Sequence, residues 1–87
     1  MRPGEDLINQ GIKDLEGGDE TFNALLVSIG APRLRRSGIS VPNTIIPSPE
    51  HRLYLKLVET HGDGAHSQYN ALIRRLVSFE RAAECES

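Results

Sequence analysis

Apolar residues recur along this chain in four periodic runs, and the last is the longest. From Ala65 to Ala83, AHSQYNALIRRLVSFERAA, the residues Tyr69, Leu72, Ile73, Leu76 and Ala83 return at three- and four-residue steps, while Asn70, Arg74, Ser78 and Arg81 fall opposite. At about 100° per residue this is one apolar stripe on an amphipathic helix. Roughly nineteen residues at about 1.5 Å each give a rod of about 28 Å. We therefore expect this helix to organise the fold, with the shorter helices packed against it.

Three shorter runs precede it. Glu5 to Glu16 has acids in its first turn, a narrow stripe of Ile8, Ile12 and Leu15, and Gly17-Gly18 as a stop, which predicts a first helix. Gly11 interrupts it, at up to about 1 kcal/mol relative to Ala, so either this helix is weak or another backbone approaches closely there, and close packing is the reading preferred. Asp19 is a good N-cap for a second helix, in which Phe22, Leu25, Leu26 and Ile29 keep the core spacing and Ala24 and Val27 broaden it. Gly30-Ala31-Pro32 should end or kink that helix, because Pro lacks a donor and disfavours helical geometry in the preceding residue. Pro32 then opens a short extra turn, PRLRRS, closed by Gly38. Ser48-Pro49-Glu50 supplies an N-cap hydroxyl, Pro at N1 and a first-turn acid. It predicts a third helix from Pro49 to about His61, with Leu53, Tyr54, Leu57 and Val58 on its core face.

The connections are equally specific. Ile39 to Pro47, ISVPNTIIP, has two prolines and no helical period, so it reads as an extended connection. Ile39, Val41, Ile45 and Ile46 are too apolar for a solvated linker and should lie across the helices as a strap. Gly62-Asp63-Gly64 is a tight break that returns the chain into the last helix as an αα-hairpin. Ala82 to Ser87 is expected to fray.

The fold expected is therefore all-α: a small bundle of four main helices with a short extra helical turn and an extended apolar connection. With 87 residues, residues 1–87 make a single domain, since a second core would have nothing left to bury. Phe22, Phe79, Tyr54 and Tyr69 are the only aromatics and Trp is absent, so aliphatic side chains must build the interior. A self-associated dimer would ease the limit that a small core sets on stability.

Composition narrows the partners. The net charge of −2 is unevenly spread: residues 1–20 carry six acids and two bases, residues 21–58 one acid and five bases, and residues 59–87 five acids and three bases. An acidic start beside a basic middle suits self-complementary docking at least as well as an external polyanion. Cys85 is the single cysteine, which excludes an intrachain disulfide framework and a thiolate zinc cluster. No apolar run approaches the roughly 18 residues of a membrane span, and no apolar leader opens the sequence. A cytoplasmic location without membrane contact is expected.

Candidate chemistry is sparse. Arg33, Arg35 and Arg36, with Arg74 and Arg75, form the main basic concentration, and their guanidinium forks suit phosphate or carboxylate. A solvated or ion-paired surface explains them as well, since the chain lacks the high pI of a dedicated nucleic-acid binder. A helix-turn-helix reading would put Gln68, Asn70 and Arg74 on a recognition helix, although Gln68 and Asn70 do not share a face. His61, Asp63 and His66, with Glu59 nearby, offer a weak metal alternative. Their spacing is not that of one-helix zinc motifs, and capping of the flanking helices accounts for them. Glu80 sits within the apolar stripe, where an unpaired carboxylate would be costly; we expect an Arg from the 33–36 turn to reach it. No serine lies in a nucleophile elbow.

The function expected is a non-catalytic protein-interaction or regulatory module, without cofactor, that self-associates or docks a protein partner through apolar helix surface. A nucleic-acid-binding helical protein is the alternative, and a small metal-dependent enzyme the third.

Overall fold

The computed structural model describes residues 3–43 and 46–86, so Ile45 of the strap and Ser87 lie outside the described residues. Four helices follow one another: α1 (Glu5–Glu16), α2 (Phe22–Arg36), α3 (Pro49–His61) and α4 (Ala65–Glu86). The described residues contain no strand. The extra helical turn is present but lies elsewhere than expected, as a single 3-10 turn over Gly62–Gly64 between α3 and α4. The segment PRLRRS is no separate turn: α2 continues through Pro32 to Arg36. Proline removes one intrahelical bond and costs about 3 kcal/mol in a free helix. Here Ala31 and Leu34, on either side of it, are both fully buried, and tertiary packing outweighs the local preference.

The glycine stops behave as their backbone freedom allows. After α1 the N–H of Gly18 donates to the Leu15 carbonyl at 3.1 Å and the N–H of Asp19 to the Asp14 carbonyl at 2.8 Å, with Gly18 at φ +78°. Gly38 repeats this after α2, with bonds from Gly38 to Arg35 and from Ile39 to Leu34. Both are Schellman closures that satisfy carbonyls the helix leaves free.

Helix starts differ from the sequence expectation. The N-cap of α2 is Thr21 rather than Asp19: its hydroxyl accepts from the Ala24 N–H at 3.1 Å and donates to the Asp14 carboxylate at 2.6 Å. One side chain thus caps α2 and ties it to α1. The Thr21 bond, followed by one from Gln10, holds the Asp14 carboxyl below its ordinary value. Ser48 precedes α3 in left-handed geometry (φ +47°) and makes no side-chain cap bond. A capping hydroxyl is aimed correctly from extended backbone, which Ser48 does not adopt. Pro49 stands at N1 as expected.

Burial makes α2, rather than α4, the central element. Residues Ala24 to Ser28, Gly30, Ala31 and Leu34 are all buried, and α2 packs against α1, α3 and α4. A helix apolar on nearly every side is a core helix, and its periodicity is weak for that reason. On α4, Ala65, Leu76, Phe79, Glu80 and Ala83 are buried, while Tyr69, Leu72 and Ile73 are half-buried against the core. The helix runs to Glu86.

Gly11 marks the contact of α1 with α2. A Cβ there would stand 2.3 Å from the Asn23 carbonyl oxygen and 2.5 Å from Val27 Cγ2, so only glycine lets the two backbones meet. The strap is pinned from both sides: the Arg35 guanidinium donates to the Pro42 carbonyl at 2.7 Å, and the Ile46 N–H donates to Ser28 Oγ at 3.2 Å. Ile39, Val41 and Ile46 pack on the core, as the apolar content of the strap requires.

Candidate functional site

Two features stand out from the packed core: a buried acid between α2 and α4, and an apolar face on the outside of α3. The acid is Glu80, 4% exposed. It lies over Gly30, where an added Cβ would come within 3.0 Å of its carboxylate. Arg33, three residues later on α2, reaches it at 3.7 Å and pairs more closely with Glu84 at 2.7 Å. Burial pushes the Glu80 carboxyl above its ordinary value; Arg33 opposes the rise, Glu84 adds to it, and Arg36 opposes it. Glu84 is shifted down, first by the hydrogen bond from Arg33. Glycine at 30 and arginine at 33 fall one helical turn apart, so a single face of α2 both admits the carboxylate and neutralises it. The arrangement joins the end of α2 to the end of α4.

The remaining arginines are dispersed in their duties. Arg35 holds the strap, and Arg75 on α4 pairs with Asp6 of α1 at 3.6 Å. Arg36 and Arg74 are exposed. Among the described residues, Arg33 and Arg75 of these five form ion pairs with acids of this same chain. Gln68 and Asn70 are exposed on α4 beside Arg74, and Asn70 Nδ2 meets His66 Nε2 at 3.2 Å. His61, Asp63 and His66 are all exposed, and among the described residues no three His, Cys, Asp or Glu side chains gather where they could hold a metal ion. Cys85 is an exposed thiol.

No known protein family, curated protein or solved structure matches this chain.

The outer face of α3 is where sequence reasoning and structure part most clearly. Leu53 and Leu57 are buried, as expected, but Tyr54 and Val58 are not core residues: they are 39% and 43% exposed, and Leu55 is 49% exposed. With Leu53 aimed at the core, residues 54, 55 and 58 stand about 100°, 200° and 140° around the helix. The three therefore form one outward strip. Tyr54 leans edge-on against Tyr69 of α4, with ring centroids 6.0 Å apart, and burial followed by the nearby Glu50 raises the Tyr69 phenol above its ordinary value. Leu55 was not singled out by the sequence pattern, although its place two residues from each of Leu53 and Leu57 puts it on the opposite side of a helix.

Beside Leu55 runs a groove of about 390 Å³ lined by Glu20, His51, Arg52, Leu55, Lys56 and Glu59. The Arg52–Glu20 ion pair, 2.9 Å long, forms one wall. Across it lies a second hollow of about 240 Å³ reaching Leu15, Ile46 and Pro47. The Lys56 ammonium lies 5.6 Å from the centroid of the Phe22 ring, turned toward α2. The strip is thus apolar along its centre and charged along its edges. No helix among the described residues is long and apolar enough to cross a membrane.

Proposed function

We propose that this chain is a non-catalytic protein-interaction module that docks through the outer face of α3. The observation that carries the reading is the exposure of Tyr54, Leu55 and Val58 together. Single exposed apolar residues are ordinary on protein surfaces; a contiguous apolar strip with a charged rim is the composition of a contact surface. The buried acid supports no competing catalytic reading. Glu80 is neutralised by Arg33, which Glu84 shares, and the network joins helices without opening onto either groove.

The test places a photo-cross-linking amino acid at Leu55 in cells that produce the protein, with the same amino acid at Arg81, exposed on α4, as the control. The reading requires a covalent protein adduct from position 55 that is weak or absent from position 81. Equal labelling at both positions, or none at 55, would reject it.

A further inference from the structure

We infer that the occupant of this face is a second copy of the chain, its α3 packed antiparallel to the first about a two-fold axis passing between Leu55 and Lys56. This names the partner for the interaction reading above and rests on it.

The argument is charge complementarity along one helix. In an isologous contact each residue faces the one equally far beyond the axis. About this axis Arg52 stands opposite Glu59 of the partner subunit, and Glu50 opposite His61 of the partner subunit. Arg52 and Glu59 lie on one flank of the strip and Glu50 and His61 on the other, by the helical period. Each flank therefore sets an acid against a basic side chain, while Tyr54, Leu55 and Val58 meet along the middle.

Three local details fit. Glu59 is exposed and makes no ion pair among the described residues. Arg52 is held in place by Glu20 through one nitrogen, which leaves further guanidinium donors for a second carboxylate. Lys56, the cation nearest the axis, is drawn aside over Phe22 and does not oppose its own copy.

Sedimentation velocity of the purified full chain, over a concentration series, tests this directly. The wild type is expected to dimerise with concentration, and Leu55→Glu to stay monomeric with an unchanged helical circular dichroism spectrum. Arg52→Glu alone and Glu59→Arg alone should each weaken the dimer by about tenfold or more. An equimolar mixture of those two variants should recover it, because each chain then meets opposite charge on the Arg52–Glu59 flank. A wild type that remains monomeric to about 1 mM, or a mixture no tighter than its components, overturns the inference. A monomer in solution whose position 55 cross-links to a different protein in cells overturns the second copy and leaves the interaction reading standing. Absence of every adduct removes both.

Discussion

Gly11→Ala adds one methyl group at the place where α1 crosses α2, and the sign of its effect tests the packing. In a free helix the change would stabilise by about 1 kcal/mol. Here the new carbon would stand 2.3 Å from a backbone oxygen, Asn23 O, and 2.5 Å from Val27 Cγ2, so contact at about 3.5 Å requires the helices to part by roughly 1 Å. Val27 is β-branched and fully buried, and Asn23 O belongs to the backbone of α2; neither yields by a rotamer change. Overpacking of a filled core costs about 1–3 kcal/mol and sometimes more. Taking the upper end and subtracting the propensity gain leaves a net loss of about 2 kcal/mol. For a domain whose total stability is about 4–13 kcal/mol, that is a large fraction. Urea unfolding followed by circular dichroism should show the midpoint falling by about 1–2 M. Gly17→Ala is the matched control: Gly17 has φ −82°, its Cβ would meet nothing closer than 3.6 Å, and the change should be neutral or stabilising by up to about 1 kcal/mol. A stabilised Gly11→Ala would refute the close approach of α1 and α2.

Two further predictions concern polar contacts. Because burial raises the Glu80 carboxyl in the folded chain, the folded state holds its proton longer than the unfolded state; this contribution is full below the ordinary carboxylate value and is lost as pH rises through the raised one. Glu80→Gln should remove that decline, so the difference in melting temperature between wild type and variant should move in the variant's favour as pH rises from about 4 to 7; parallel curves would contradict the burial argument. At the start of α2, Thr21→Ala should cost about 1 kcal/mol, and Asp19→Ala should change stability by less than about 0.5 kcal/mol. Thr21→Ala should also diminish the stability lost on acidification, since the bond that depresses Asp14 is gone. Denaturant titrations at two pH values would settle both, and the reverse ranking of Thr21 and Asp19 would reject the observed cap.

Much of this architecture was legible because local chemistry and tertiary packing agree. The bounds of α1 and α3 follow from their stops and from Pro49, and the glycine at position 11 announced a neighbour that the structure supplies. Disagreement arose where packing overrode a local rule. Pro32 signals a break, yet the apolar residues around it are buried on several sides and carry the helix through. The same all-round burial hid the centrality of α2, because a helix without a polar face shows little periodicity, whereas α4 advertises its stripe by being half exposed. Glu80 was recognisable as an acid on an apolar face, and Arg33 reaches it as expected; the role of Gly30 in admitting it depends on an approach between helices that no sequence spacing encodes. The outer strip of α3 was missed because Tyr54 and Val58 adjoin Leu53 and Leu57 in sequence, and apolar character alone does not say which side of a helix meets the core.

The orientation of α3 is the fact on which the account turns, and thiol alkylation measures it. In a Cys85→Ser background, Leu53→Cys and Leu55→Cys differ by two positions on one helix, with side chains that are fully buried and half exposed in the native chain. At concentrations low enough to keep the chain monomeric, Leu55→Cys should react nearly as fast as an unfolded thiol, and Leu53→Cys should be slower by about a hundredfold or more, its reaction waiting on unfolding. Equal rates, or protection of position 55 in the monomer, would mean that α3 turns a different side to solvent and that the proposed docking face does not exist.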